Sequence, residues 1–224
     1  MFCPDPGAGR SVAKDSWLEY LRERAYVEHF TPEPIPEETL EQILEAGRRT
    51  SSPWNLQPWK FIVVSTDLGR AQVLRHCHDS GPAAQAPVLL VGLGDPNAWK
   101  RAPEKLEELL RSGTLQPGDE VRHLERIRQQ WGTGDAARVL AIAQTYAALQ
   151  QTRLVALAFN VCSWWVHDFN ATELEKTLHV PDSLVVVGVL GLGFCDRKSV
   201  VASSPWRRSV FGEAYGLPWK TELE

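Results

Sequence analysis

Between Thr50 and Phe61 the chain reads Thr-Ser-Ser-Pro-Trp-Asn-Leu-Gln-Pro-Trp-Lys-Phe, a set of residue types suited to binding. Pro53 and Pro58 stiffen the backbone around Asn55 and Gln57, and each of those side chains presents a donor and an acceptor on one rigid amide. A loop built this way keeps its amides available to a partner while its own shape stays fixed. The plainer alternative is a helix-to-strand connection in which Trp54 and Trp59 only fill core.

Other chemistry finds little support. No H-x-x-x-H or H-E-x-x-H pair, G-x-S-x-G elbow or Walker loop occurs, which leaves a hydrolase reading weak. His76 and His78 lie two apart on a predicted helix and face different directions, which predicts exposure for both. Cys3, Cys77, Cys162 and Cys195 are scattered without C-x-x-C spacing, which argues against zinc and against a disulfide framework; reduced thiols in a cytoplasmic protein are expected. Gly188, Gly191 and Gly193 fall inside a predicted strand instead of at a strand-to-helix turn, so they are read as sites where another backbone comes close, not as a dinucleotide fingerprint. What remains is a cofactor that carries the reactive atoms while the protein supplies position and electrostatics.

The order Ser52-Pro53-Trp54-Asn55, Gln57-Pro58-Trp59, Phe61 resembles the P-S-x-x-N-x-Q-P-W-x-F signature of the nitroreductase family of flavoproteins, with Ser51 standing where Pro is usual. The likeness runs from about Tyr20 to Gly216. Arg24-Ala25-Tyr26-Val27-Glu28-His29-Phe30 resembles the segment with which the family grips the FMN phosphate and ribityl chain, with Tyr26 in place of Ser and Glu28 in place of a basic residue. Arg207 and Arg208 match the family's second basic element. Cys162 to Phe169 resembles a turn whose main-chain N–H groups approach the flavin, which implies contacts from Trp165, Val166, His167 and Asp168.

The resemblance also implies a homodimer that shares each flavin. Ser52, Pro53, Asn55 and Gln57 of one chain would reach a flavin held by Arg24, Ala25, Tyr26, Arg207 and Arg208 of the other. The implied activity is that of an FMN-dependent oxidoreductase passing hydride from NADH or NADPH through the flavin to a nitroaromatic, quinone or similar planar acceptor by a ping-pong cycle. The alternatives are a flavin-dependent dehydrogenase, dehalogenase-type or flavin-consuming relative, and a non-catalytic flavin- or ligand-binding homodimer with weakened phosphate recognition. No catalytic side chain is implied.

The surrounding helices and strands follow from composition and pattern. The 224 residues are 43% hydrophobic and 23% charged, ordinary values for a globular chain, and the net charge of -4 offers no basic surface for nucleic acid. The longest apolar runs, Leu154 to Val166 and Leu184 to Phe194, are too short to span a bilayer, and the opening residues do not read as a signal peptide.

Ser11 caps a first predicted helix, and Pro36 with Glu37 and Glu38 opens a second whose inner face is Leu40, Ile43, Leu44 and Gly47. Trp59 to Ser65 reads as a buried strand, Asp67 as the cap of a helix with Leu68, Ala71 and Leu74 inward, and Pro87 to Leu93 as a second strand. Residues 95–134 form a charged helical excursion, and Ala136 to Val161 a central helix apolar enough to lie buried or against another subunit. Asn170 with Glu173 caps a further helix, and Leu184 to Phe194 is a buried strand.

About three strands among six or seven helices predict an α+β fold. By the resemblance this is a three-layer sandwich, a small mostly antiparallel sheet flanked by helices, in an intertwined homodimer. The expected organisation is a flexible segment 1–10 followed by a single domain 11–224 with a C-terminal arm at 200–224.

Overall fold

The computed structural model describes residues 25–199, with side chains from 27 to 195. The helix predicted from Ser11, the arm at 200–224, and Arg24, Arg207 and Arg208 lie outside the described residues.

The core is a four-stranded antiparallel sheet in the order β2-β4-β7-β5, built from β2 (Trp59–Val64), β4 (Val88–Gly94), β7 (Val185–Gly193) and β5 (Cys162–Val166). The two central strands are buried along their whole length, which is why they read as unbroken apolar runs. Alternation decides which side chain goes to which face. Leu89 and Val91 pack with Val73, Leu174 and Val189 on one side; Leu90 packs with Ile43, Leu149, Leu190 and Leu192 on the other. Each of these side chains contributes about 1.5–3 kcal/mol by leaving water.

Helices α1 (Glu37–Arg48) and α5 (Gly134–Ala158) cover the second face, while α2 (Asp67–Leu74) and α6 (Ala171–Thr177) cover the first, giving three layers. Helix α1 starts where proline and two glutamates predict, with Pro36 at its cap. Helix α5 buries Ala137, Ala141, Thr145, Ala148, Leu149, Thr152 and Ala156 at helical spacing. The Thr145 and Thr152 hydroxyls donate to the carbonyls of Ala141 and Ala148, at 2.7 and 2.9 Å, so neither brings an unpaired polar group into the core. Helices α3 (Ala102–Arg111) and α4 (Glu120–Trp131) form the excursion, with its own small core of Leu56, Ala102, Leu106 and Ile127.

Several expectations need correction. The described residues hold eight strands, not about three: β5 forms where a turn is expected from Cys162 to Phe169, and β1 (Ala25–Phe30) with β8 (Cys195–Ser199), and β3 (Cys77–Asp79) with β6 (Asp168–Phe169), pair as short ribbons whose partners are far apart in sequence. Strand β2 is an edge strand with Lys60 and Val63 exposed, not a buried one. Thr66, not Asp67, caps α2, its Oγ1 accepting from Gly69 N, so the register shifts: Leu68 is 71% exposed and Val73 is buried. His76 is half-buried against Thr177 Oγ1 at 2.9 Å. Gly191 admits Ala83 of the turn Gly81–Gln85, but Gly188 faces the ring of Trp165 and not another backbone.

The cysteines depart most. Cys162 and Cys195 form a disulfide, with Cα atoms 5.9 Å apart. Their 33-residue separation hides the pairing in the sequence, but β5 lies on β7 with Cys162 opposite Gly193, two residues before Cys195, and this brings the thiols together.

Candidate functional site

Ser52, Pro53, Asn55 and Gln57 are brought together on one tight corner between α1 and β2, opened by the turn Pro53–Asn55. Its backbone is unusual. Trp54, Asn55 and Gln57 have φ of 48°, 54° and 45°, three non-glycine residues in the left-handed region within four positions. Asn tolerates this region; a bulky residue such as Trp costs about 1–3 kcal/mol there, so the surroundings must hold it.

Two sets of contacts do so. Within the corner, Gln57 N donates to Ser52 Oγ at 2.8 Å, and Gln57 Nε2 donates to the Arg48 carbonyl at 3.2 Å. From the excursion, the Trp54 indole N–H donates to His123 Nδ1 at 2.9 Å, and the indole stands edge-on to Trp131 at 5.3 Å. Arg101 pairs with the buried Asp95 carboxylate at 2.7 Å and reaches the Leu56 carbonyl at 3.4 Å, while Asp95 N donates to the Pro58 carbonyl at 2.9 Å. None of His123, Trp131, Asp95 and Arg101 was singled out from sequence. The Trp54 to His123 bond spans 69 residues and carries no local signal.

With its backbone so fixed, the corner leaves polar groups unspent. Among the described residues, the Asn55 side-chain amide makes no hydrogen bond and the buried Thr50 Oγ1 has no partner. Neutral donors and acceptors of this kind fit the alternating N–H and C=O edge, or the hydroxylated chain, of a flavin. They do not fit a phosphate by themselves. Arg48 is engaged by Glu45, whose carboxyl is pulled down to about 2 by its hydrogen bonds to Arg48 and Arg49. The basic residues expected to meet the phosphate, Arg24, Arg207 and Arg208, fall outside the described residues.

The corner borders an open groove of about 1010 Å³ between α1, β2 and the start of α3, with Gln57, Arg48, Lys60, Arg101 and Lys105 among its lining residues. Trp165, Val166, His167 and Asp168 do not line it. They lie instead along β5 and β6, where Val166 is buried and His167 and Asp168 are exposed. Trp165 stacks on His167 with centroids 6.0 Å apart, approaches Tyr146 of α5 at 5.3 Å, and has the Arg153 guanidinium over its ring at 5.7 Å. This aromatic and cationic face is a second patch. Ala25 and Tyr26 fall at the start of β1. Among the described residues no group of three or more His, Cys, Asp and Glu is arranged to hold a metal ion, and no helix is long and apolar enough to cross a membrane.

Against this geometry the comparisons with known proteins are consistent. The model of the nitroreductase family matches residues 21–194. The chain is 34% identical over 204 residues to the 5,6-dimethylbenzimidazole synthase of Rhodobacter capsulatus, covering 88% of this chain and 93% of that protein. It is 27% identical over 172 residues to the NADH dehydrogenase of Thermus thermophilus, covering 76% and 82%. Its fold is shared with a nitroreductase-type protein of Exiguobacterium sibiricum solved in complex with FMN, at a TM-score of 0.75 and 18% identity over 84% of this chain and 93% of that one.

The fold and the family match define a nitroreductase-like α+β protein. The chain belongs to the nitroreductase family, and by that membership it is an oxidoreductase.

Proposed function

We propose that the protein is an FMN-dependent oxidoreductase that takes hydride from NADH or NADPH and reduces a nitroaromatic, quinone or similar planar acceptor, acting as a homodimer. The observation that carries this reading is the Ser52 to Gln57 corner. Three left-handed residues held rigid, with the Asn55 amide making no hydrogen bond among the described residues, describe a surface shaped before its ligand arrives. FMN bound there would accept the hydride and pass the electrons on.

The chain's own part is to bind and orient. Asn55 and Ser52 offer hydrogen bonds to a heterocycle or its polyol chain, and the groove beside Gln57 leaves a face open to a flat second substrate. The main chain of Trp165 to Asp168, with Arg24, Ala25, Tyr26, Arg207 and Arg208, makes up the rest of the proposed cofactor contacts. Exposed apolar side chains on α5, Val139 at 67% and Tyr146 at 39%, support a dimer in which this helix meets its copy.

The test is FMN titration of the purified protein, followed by anaerobic addition of NADH and of NADPH. Bound flavin that bleaches with either nucleotide and recovers its colour on adding a quinone supports the reading. Failure to bind FMN in any preparation overturns it.

A second reading is favoured by one observation, the 34% identity to 5,6-dimethylbenzimidazole synthase along nearly the whole chain. In that case the flavin would be the substrate and not the carrier. Repeating the reduction under air separates the two: a carrier's visible band returns after each round of reduction, whereas a consumed flavin's band is lost in proportion to the benzimidazole formed.

A further inference from the structure

We infer that His123 is a positioning residue for the cofactor corner: by accepting the Trp54 indole hydrogen bond it latches Trp54 in its left-handed conformation, so that the excursion sets the aim of Asn55 and Gln57. The cofactor half of this inference rests on the reading of that corner as flavin-binding.

Trp54 is the residue of the corner that the left-handed region suits least, with φ of 48° and ψ of 26°, and it is followed directly by Asn55. Rotation of Trp54 into an ordinary conformation would swing the peptide that carries Asn55. Within the corner, Asn55 N donates to the Ser52 carbonyl at 3.0 Å and Leu56 N to the Pro53 carbonyl at 3.1 Å, closing a turn over Trp54, while the restraints on its side chain come mostly from outside. The indole N–H donates to His123 Nδ1 at 2.9 Å, the ring meets His123 edge-on at 6.0 Å and Trp131 at 5.3 Å, and it packs with Leu56 on Ala102, Leu106 and Ile127. All but Leu56 belong to residues 95–134.

The bond also fixes the state of the histidine. Nδ1 can accept only in the neutral form with its proton on Nε2. The corner's own restraints, Pro53, Pro58, the Gln57 N to Ser52 Oγ bond and the turn closed over Trp54, act on the backbone, and the latch adds the hold on the Trp54 side chain. The excursion is thus part of the cofactor site's frame as well as a wall of the groove, since Arg101 holds the next carbonyl, that of Leu56, at 3.4 Å.

Two substitutions separate the acceptor from the bulk of the ring. His123→Phe keeps a ring and removes the acceptor; His123→Asn puts an amide oxygen where Nδ1 stands. The readouts are the Trp54 indole N–H and the backbone amides of Asn55 and Gln57 in the NMR spectrum of the FMN-free protein, together with the FMN dissociation constant. His123→Phe is expected to displace all three resonances and to weaken FMN about tenfold, as loss of one hydrogen bond implies. His123→Asn is expected to restore the resonances and bring the affinity back to within about twofold.

Trp54→Phe, which removes the donor, reads the same bond from the other side if His123→Phe does not fold, and should displace the Asn55 and Gln57 amides alike. The latch is overturned if those amides stay in place in both substitutions, or if His123→Phe and His123→Asn displace them equally. Should the amides respond as expected in a protein that binds no FMN, the latch stands and the flavin reading fails.

Discussion

At the scale of single residues, the corner separates what a side chain does from what its backbone must tolerate. Asn55 sits at φ 54°, so Asn55→Gly removes the amide while leaving the backbone at ease. FMN affinity is expected to fall about tenfold, with the urea unfolding midpoint little changed, when titration and denaturation are compared with the parent protein. The amides of Asn55 and Gln57 were legible in the sequence because two prolines bracket them and the motif names them. The positive torsions were not, since Trp54 gives no local sign that it will be held left-handed from 69 residues away. Cys77 offers a pH test. Burial pushes its thiol from 9.0 up to about 11, so near neutral pH it carries about 100-fold less thiolate than an unperturbed cysteine. Alkylation of this residue, followed by mass spectrometry of its peptide, should be slow at neutral pH and accelerate as pH rises toward 11.

At the scale of elements, periodicity carried the helices and the two central strands, and pairing carried everything it missed. The continuous runs of β4 and β7 announce burial on both faces, and the Pro36 and Asn170 caps announce α1 and α6. Strands β3 and β6 are three and two residues long, too short for alternation to register, and exist because each supplies the other's hydrogen bonds. The disulfide belongs to the same class of fact, visible only once β5 lies on β7. Cys195→Ser opens a bridge 33 residues apart in sequence and should lower stability by about 3–4 kcal/mol on the loop-entropy estimate, read by urea denaturation against the reduced parent as control. Gly92→Ala tests the seam between β4 and α5. A Cβ there would meet Leu149 Cδ1 at 2.6 Å and Thr145 Cγ2 at 3.1 Å, both in the buried interior, and a cost of about 1–3 kcal/mol is expected by the same measurement.

At the scale of the whole molecule, a rigid sheet carries on one edge the corner that presents Asn55 and on the other the Trp165 face, backed by Tyr146 and Arg153. In the proposed dimer, each chain's corner serves the flavin gripped by its twin, so cofactor affinity should depend on association. Charge substitution of the exposed α5 residue, Val139→Glu, is expected to shift the protein toward monomer in analytical ultracentrifugation and to weaken FMN in parallel. An unchanged affinity in the monomer would confine the site to one chain.

Whether this chain holds FMN and reduces it with a nicotinamide nucleotide is read by anaerobic stopped-flow mixing of the FMN-loaded protein with NADH or NADPH. The visible flavin band is expected to disappear in a phase whose rate rises with nucleotide concentration, and to return when a quinone or nitroaromatic is added. A bound flavin that keeps its absorbance through prolonged exposure to both nucleotides would contradict the proposed function.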